Sequence, residues 1–335
     1  MTGRRQPRNS RNGALRLDPF ELSRYAPRVQ LSPSRPLVVR PVWSHRAAAF
    51  AGRLAIGAIV GLPDSFRRAL ARTAALVAYG LGIRRRVTLD NLRHAFPELP
   101  EKERRRIAKG AYVNMAYAVM EGLSSARLSE DELAQAVVTD QWGLVQAAID
   151  GGKGILVASA HFGGWELLGE VLARRGVKLH AVVRSLRGSV NEELIESRRK
   201  SGMQLIAPRG AVLSSVRALR HGAMVAMLID QVLPADRGVF VPFFGRAACT
   251  TPALSMAAIG SGSPVFVLMS VREGDHLRLL VEGPIRVPDT GDRKRDILEH
   301  TAALTQVIEG FVRRHPEQWL WLHRRWKVQP ATSSP

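Results

Sequence analysis

The chain reads as an α/β protein with a mainly parallel central sheet flanked by helices and a helical N-terminal region. Three observations predict it. From about residue 150 onward, apolar runs of strand length alternate with helical stretches, a pattern that asks for right-handed crossovers and parallel strands. Before residue 125 the apolar residues recur at helical spacing instead. Hydrophobic residues make up 46% of the 335, enough for a sizeable core.

Residues 1–45 are rich in Arg, Pro and Ser without a sustained apolar period, and read as a basic, disordered arm. No apolar run follows the charged start at the distance a secretory signal requires. Residues 46–62, RAAAFAGRLAIGAIVGL, are broken by Arg53, and the longest charge-free apolar stretch is 54–62. A spanning helix needs about 20 residues. The segment is therefore either interfacial or an ordinary buried helix. Residues 64–84 form an amphipathic stretch with Arg67, Arg68 and Arg72 on its polar side. A helix over 86–96 is stopped by Pro97 and Pro100, and another is expected over 101–123. The expected division is an arm (1–45), a helical membrane-associating region (46–125) and an α/β catalytic region (126–330), the last two forming one structural unit.

Within the α/β region, strands are expected at 154–160, 177–184, 203–207 and 223–230, with helices at 167–175, 190–201 and 211–220 between them. PALSMAAIGSG reads as a further helix, PVFVLMSVR as a fifth strand and HLRLLVEGPI as a sixth, at or near an edge. A long helix over 297–314 closes the domain.

Lys plus Arg number 49 against 29 Asp plus Glu, a net charge of +20. Such a surface attracts polyanions, whether nucleic acid, anionic lipid headgroups, phosphorylated sugars or an acidic carrier protein. A nucleic-acid binder would explain the charge, but no recognisable module is present and aromatic residues are only 6%. The single cysteine, Cys249, excludes an internal disulfide framework and a Cys-rich zinc site. Nine histidines are scattered without ligand spacing, so neither metal nor cofactor is expected.

The chemistry gathers at HFGGWE, residues 161–166, directly after the 154–160 run. Ligands of open α/β sheets sit at the carboxyl ends of strands. Gly163 and Gly164 suit a tight turn and close approach of a substrate to the backbone. His161 and Glu166 can meet if the chain turns between them. The carboxylate would then hold one ring nitrogen protonated and leave the other as a base, as in a protease triad without its serine. An ordinary imidazole, with a pKa of about 6.5, is well placed to take a proton near neutrality.

HFGGWE resembles the His-x-x-x-x-Asp/Glu signature of glycerolipid and lipid A acyltransferases. PEQWLWLHRRWK (316–327) is similar to the PEQYxWLHRRFK segment of the late lipid A acyltransferases. DQ at 230–231, GVFVPFFGRAACTT at 238–251 and NLRHAFPEL at 91–99 also resemble that family's segments, in the same order. The resemblance runs from about residue 50 to 327. It implies a glycerolipid-acyltransferase-like fold and transfer of a fatty acyl chain from acyl carrier protein, or acyl-CoA, to a hydroxyl of a lipid A precursor or similar anionic glycolipid. Another phospho- or aminolipid acceptor fits the same fold. It also implies work at a membrane surface, on the cytoplasmic face of the inner membrane, held peripherally or by one N-terminal anchor.

Under the resemblance, His161 is the general base and Glu166 its orienting carboxylate, with direct attack and no acyl-enzyme, so that Cys249 is dispensable. Backbone N–H groups near Gly163 and Gly164 are the expected oxyanion donors. Arg184, Asp230, Gln231, Arg237, His323, Arg324 and Arg325 fall on the substrate side. Structural alternatives remain for several: an ion pair between Arg184 and Asp230, a solvated face for Arg324 and Arg325, and core packing for Trp319 and Trp321. GVFVPFF is either the wall of an acyl slot or a core strand.

Overall fold

The computed structural model describes residues 52, 54–184 and 188–330. Residues 54–60 are helical, and three helices follow: α1 (Asp64–Gly80), α2 (Arg85–Ala95) and α3 (Glu101–Ser124). α2 ends before Pro97, and α3 starts after Pro100 with Glu101 and Glu103 in its first turn, where carboxylates complement the helix dipole. The expected arm over 1–45 lies outside the described residues, as does most of 46–53. No helix among the described residues is long and apolar enough to cross a membrane.

Three short elements escape the periodicity. They are α4 (Glu130–Ala136), β1 (Val137–Val138) and α5 (Trp142–Asp150). α4 has a local signal in its capping box, where Ser129 and Glu132 satisfy each other's backbone N–H groups. Two residues of strand are too few to show any period.

The α/β region then alternates as expected. β2 (Ile155–Ser159), α6 (Trp165–Arg174), β3 (Leu179–Val182), α7 (Ser189–Lys200), β4 (Gln204–Ile206), α8 (Ala211–Arg220) and β5 (Met224–Leu228) succeed one another. β6 (Val239–Phe243) and β7 (Arg246–Thr250) form a separate antiparallel pair. α9 (Ala253–Ser261), β8 (Val265–Glu273), β9 (His276–Glu282) and α10 (Arg293–Arg314) complete the domain. α10 begins four residues before the expected 297, because the Asp292 side chain caps it by accepting from Lys294 and Arg295 N–H.

The sheet order is β1-β9-β8-β2-β5-β3-β4. The five strands from β8 to β4 are mutually parallel. β9 runs antiparallel to β8, and β1 pairs parallel with β9 at the rim. The sixth expected strand thus lies one place in from the edge. All five residues of β2 are buried because both sheet faces are covered. Leu156 and Ala158 pack into one hydrophobic cluster, with residues of α2, α3 and α10. Ile155 and Val157 pack into another, with residues of α5 and α6.

Most of GVFVPFF lies in the β6–β7 pair. Val241 and Phe243 are buried, Pro242 is exposed, and the segment is one arm of a hairpin. Phe244 and Gly245 make its two-residue turn, both at positive φ (51° and 70°), the signature of a type I′ turn.

Candidate active site at the carboxyl ends of β2 and β5

Parallel register dictates the centre of the site. Ser159 of β2 stands opposite Leu228 of β5, and Ile229 N–H donates to Ser159 O at 3.0 Å. Two residues further along each strand come His161 and Asp230. Asp230 Oδ1 lies 2.8 Å from His161 Nδ1, and Oδ2 accepts the His161 backbone N–H at 2.9 Å. A third donor, Trp319 Nε1, reaches Asp230 Oδ2 at 2.9 Å. The Asp230 side chain is 2% exposed and that of His161 21%. The carboxylate is thus sealed while the ring keeps an opening.

Burial would raise the Asp230 carboxyl, but the His161 charge and hydrogen bonds, with Arg325 more distantly, hold it below the usual range. Burial alone would lower His161; Asp230 outweighs it, with Glu166 adding a weaker attraction, and the imidazole sits above its ordinary value. With Nδ1–H given to Asp230, the His161 Nε2 lone pair faces outward. The Gln231 amide nitrogen stands 3.2 Å from it. A neutral imidazole so held can take a proton from a hydroxyl and return it to a leaving group.

The expected pairing of His161 with Glu166 is therefore corrected: Asp230 takes that place. Glu166 belongs to the first turn of α6, where Arg198 of α7 engages both its oxygens (3.0 Å to Oε2) and Trp165 Nε1 donates at 3.1 Å. The Arg198 claim on Glu166 and the register of β2 with β5 decide the matter together. One turn on, Glu170 is fully buried, accepting from Ser125 and Ser197 hydroxyls, and burial pushes its carboxyl up to about 7. Asp230 forms no ion pair with Arg184, which is exposed at the end of β3.

The glycines have a structural task. Gly163 is at φ 56°, and a Cβ there would lie 1.5 Å from Ser270 O of β8. A Cβ on Gly164 would meet Leu277 at 2.5 Å. The turn must press against the sheet, and only glycine permits it. Backbone N–H groups of this loop are already committed: His161 to Asp230, Phe162 to Ala160 O, and Gly163 to Gln318 O. The expectation of oxyanion donors is thus removed for Gly163.

The C-terminal segment PEQWLWLHRRWK closes over this loop. Phe162 and Trp319 form an antiparallel bridge, and Leu320 N–H donates to His161 O at 3.2 Å. Asn114 of α3 donates to both Gly163 O and Gln318 O, at 3.1 and 3.0 Å. Trp319 packs among Trp321, Phe243 and Trp326, so its core role holds while its N–H serves Asp230.

Arg325 is buried, 1% exposed, and does not lie on a solvated face. It donates to Gln231 O and Cys249 O at 3.1 and 3.0 Å and to the Thr250 hydroxyl, tying the end of β7 to the loop after β5. Burial without a carboxylate on its fork draws it down to about 10. Cys249 is itself fully buried, and burial pushes its thiol up. His323 Nε2 accepts the Val232 N–H at 3.1 Å, and burial draws it down to about 4, leaving the ring neutral.

A cleft of about 660 Å³ reaches the loop after β5 at Val232, two residues past Asp230, and is lined by His323 and by the cations Arg84, Arg86, Arg184, Arg324 and Lys327, with no carboxylate among the described residues of its wall. A second basic hollow of about 530 Å³, sharing Gly82 and Arg86, continues it toward Arg105 and Lys109. Arg184, His323 and Arg324 are thus brought together in one wall, which His323 ties through Val232 to the loop after Asp230. Arg237 is not among the lining residues; it lies exposed in the loop after β5, 3.7 Å from Asp236. The sequence pointed to packing alone for Trp319 and to no part for Arg198. Register counting along β2 and β5 would have paired His161 with Asp230.

The sequence profile of the bacterial lipid A biosynthesis acyltransferases matches residues 42–328. Among curated proteins, the lipid A biosynthesis palmitoleoyltransferase of Escherichia coli K12 is 24% identical over 271 residues, covering 78% of this chain and 85% of that one. The lauroyltransferase of the same organism is 27% identical, covering 74% and 80%. Its myristoyltransferase is 24% identical, covering 84% and 87%. With the match spanning the α/β region and the helices before it, the chain belongs to the bacterial lipid A biosynthesis acyltransferase family and is an acyltransferase.

Proposed function

We propose that this enzyme moves a fatty acyl chain from the thioester of acyl carrier protein to a hydroxyl of a phosphorylated lipid A precursor, with His161 as general base and Asp230 as its orienting partner. The observation that carries the reading is the His161–Asp230 pair, with a cleft two residues beyond Asp230 walled by five cations and, among the described residues, no carboxylate. Arginine forks suit phosphate oxygens, and a basic surround suits an acidic carrier.

The acceptor hydroxyl binds at His161 Nε2, where the Gln231 amide now sits. Nε2 takes the hydroxyl proton as the oxygen attacks the thioester carbonyl. Asp230 stabilises the imidazolium. The Gln231 side-chain amide, free to turn from Nε2, supplies a hydrogen bond to the oxyanion. The intermediate collapses, the C–S bond breaks, and the leaving sulfur takes the proton back from Nε2. The acyl group passes directly to the acceptor. Cys249 is sealed and is not the nucleophile; Cys249→Ala retains turnover. Glu166 acts at one remove, keeping Arg198 neutralised beneath the loop.

The test is transfer by purified protein from lauroyl or myristoyl carrier protein to a Kdo-bearing lipid A precursor, read by mass spectrometry. A gain of one acyl mass with wild type and none with His161→Ala is expected. His161-dependent thioester hydrolysis without transfer would retain the chemistry and discard this acceptor. Turnover in His161→Ala at the wild-type rate would overturn the base.

A further inference from the structure

The geometry of α1 points to a lipid-facing surface: we propose that its outer stripe and the turn into α2 insert shallowly into an anionic bilayer. Helices of water-soluble domains turn their large apolar residues inward. α1 does the reverse. Its buried side, packed on α3, carries Ala71, Ala75 and Tyr79. Its outer side carries Phe66, Leu70, Val77 and, at the cap, Leu81, each between 42% and 74% exposed. At 100° per residue these four fall within about 60° of arc, in a line about 22 Å long. Ile83, 55% exposed, extends the line into the turn, and Leu62 and Leu54 extend it at the other end.

Charge selects the occupant. The turn runs from Leu81 and Ile83 directly into Arg84, Arg85 and Arg86. Gly82, between the two apolar residues, lines both basic hollows. Arg84 and Arg85 spend their hydrogen bonds on carbonyl oxygens rather than carboxylates. Arg86 is exposed and reaches Asp90 only at 3.8 Å. A line of bulky apolar side chains ending in Arg84 and Arg85, which bond to no carboxylate, fits the interface of a bilayer holding anionic lipid, where apolar burial and attraction to headgroups add. It would also set the cationic cleft at the level of the headgroups. The inference rests on the reading that the acceptor is a membrane lipid, but its test needs no turnover, so the two can fail separately.

The test uses the full chain with vesicles of phosphatidylcholine containing about 30 mol% phosphatidylglycerol, which gives the surface a negative potential. In Leu81→Cys the introduced thiol is labelled with an environment-sensitive dye; Cys249 is buried and stays unlabelled. Leu213→Cys, exposed on α8, is the control. The dye at position 81 should shift to the blue and be quenched by brominated lipid, and the dye at 213 should do neither. Vesicle partitioning should fall by about a hundredfold or more when Phe66, Leu70, Val77 and Leu81 are each changed to Gln, with the thermal transition retained. Binding with the dye at 81 still in water would overturn the proposal. So would wild-type binding by the fourfold variant, or dimerisation burying position 81 without vesicles.

Discussion

Two buried carboxylates lie near His161, and they are held in opposite ways. Glu166 is five residues from His161 in sequence, yet its oxygens belong to Arg198. Asp230 is on another strand, yet it takes the ring N–H, the backbone N–H of the same histidine and an indole N–H. One carboxylate balances a cation between two helices; the other fixes the orientation of an imidazole. Proximity along the chain is a weak guide where a helix start rotates a side chain away. Sheet register is a strong one, because adjacent parallel strands deliver their ends to the same place.

The sharpest way to break this comparison is to remove what both carboxylates surround. His161→Ala should lower kcat by about 10³-fold while the protein still folds, as a steady-state transfer assay with a thermal melt would register. Smaller effects follow outside the dyad. Arg184→Glu with Arg324→Glu reverses two charges of the cleft and should raise the acceptor KM about tenfold with kcat nearly retained. Unchanged KM would remove the cleft from acceptor binding. Trp319→Phe keeps the aromatic packing and deletes one donor to Asp230; kcat should drop about fivefold, near 1 kcal/mol.

On the helix side, Glu170 makes a prediction of stability instead of rate. Its folded pKa of about 7 exceeds the ordinary 4.5. Between those values the folded protein keeps a proton that the unfolded chain has released, so stability falls as pH rises through that window. Glu170→Gln should remove the fall, leaving the variant more stable than wild type at pH 8 by up to about 3 kcal/mol, with the difference closing near pH 4. Denaturant melts at pH 4, 6 and 8 would measure it.

Much of the fold was legible because its signals are local. β2 to β5 and the helices between them follow from apolar runs punctuated by Gly, and the 91–99 and 316–327 segments carried the family resemblance. Less legible was whatever depends on a partner in space. β1 is two residues long and exists because β9 offers it a ladder. The β6–β7 hairpin was hidden by Pro242 inside an apolar run and by a turn that puts Phe244 at positive φ. Arg325 looks like a surface cation in HRRWK, but it is buried beneath the loop that carries Gln231. His161 was visible from its place after a strand; its partner needed the register of a strand 69 positions on.

The most direct test of Asp230 as the partner is the pH dependence of kcat/KM for wild type, Asp230→Asn and Glu166→Gln measured side by side. In wild type the acid limb should lie above the ordinary histidine value of 6.5, since Asp230 holds the imidazolium. Activity should rise with pH as that proton is lost. In Asp230→Asn the limb should move to lower pH and the plateau fall by about 10²- to 10⁴-fold, because the base loses both its counter-charge and its fixed tautomer. Glu166→Gln should move the limb by less and keep most of the plateau, its main cost being about 3 kcal/mol of stability from an unbalanced Arg198. The opposite pattern, a collapsed and shifted profile in Glu166→Gln with Asp230→Asn near wild type, would contradict the account.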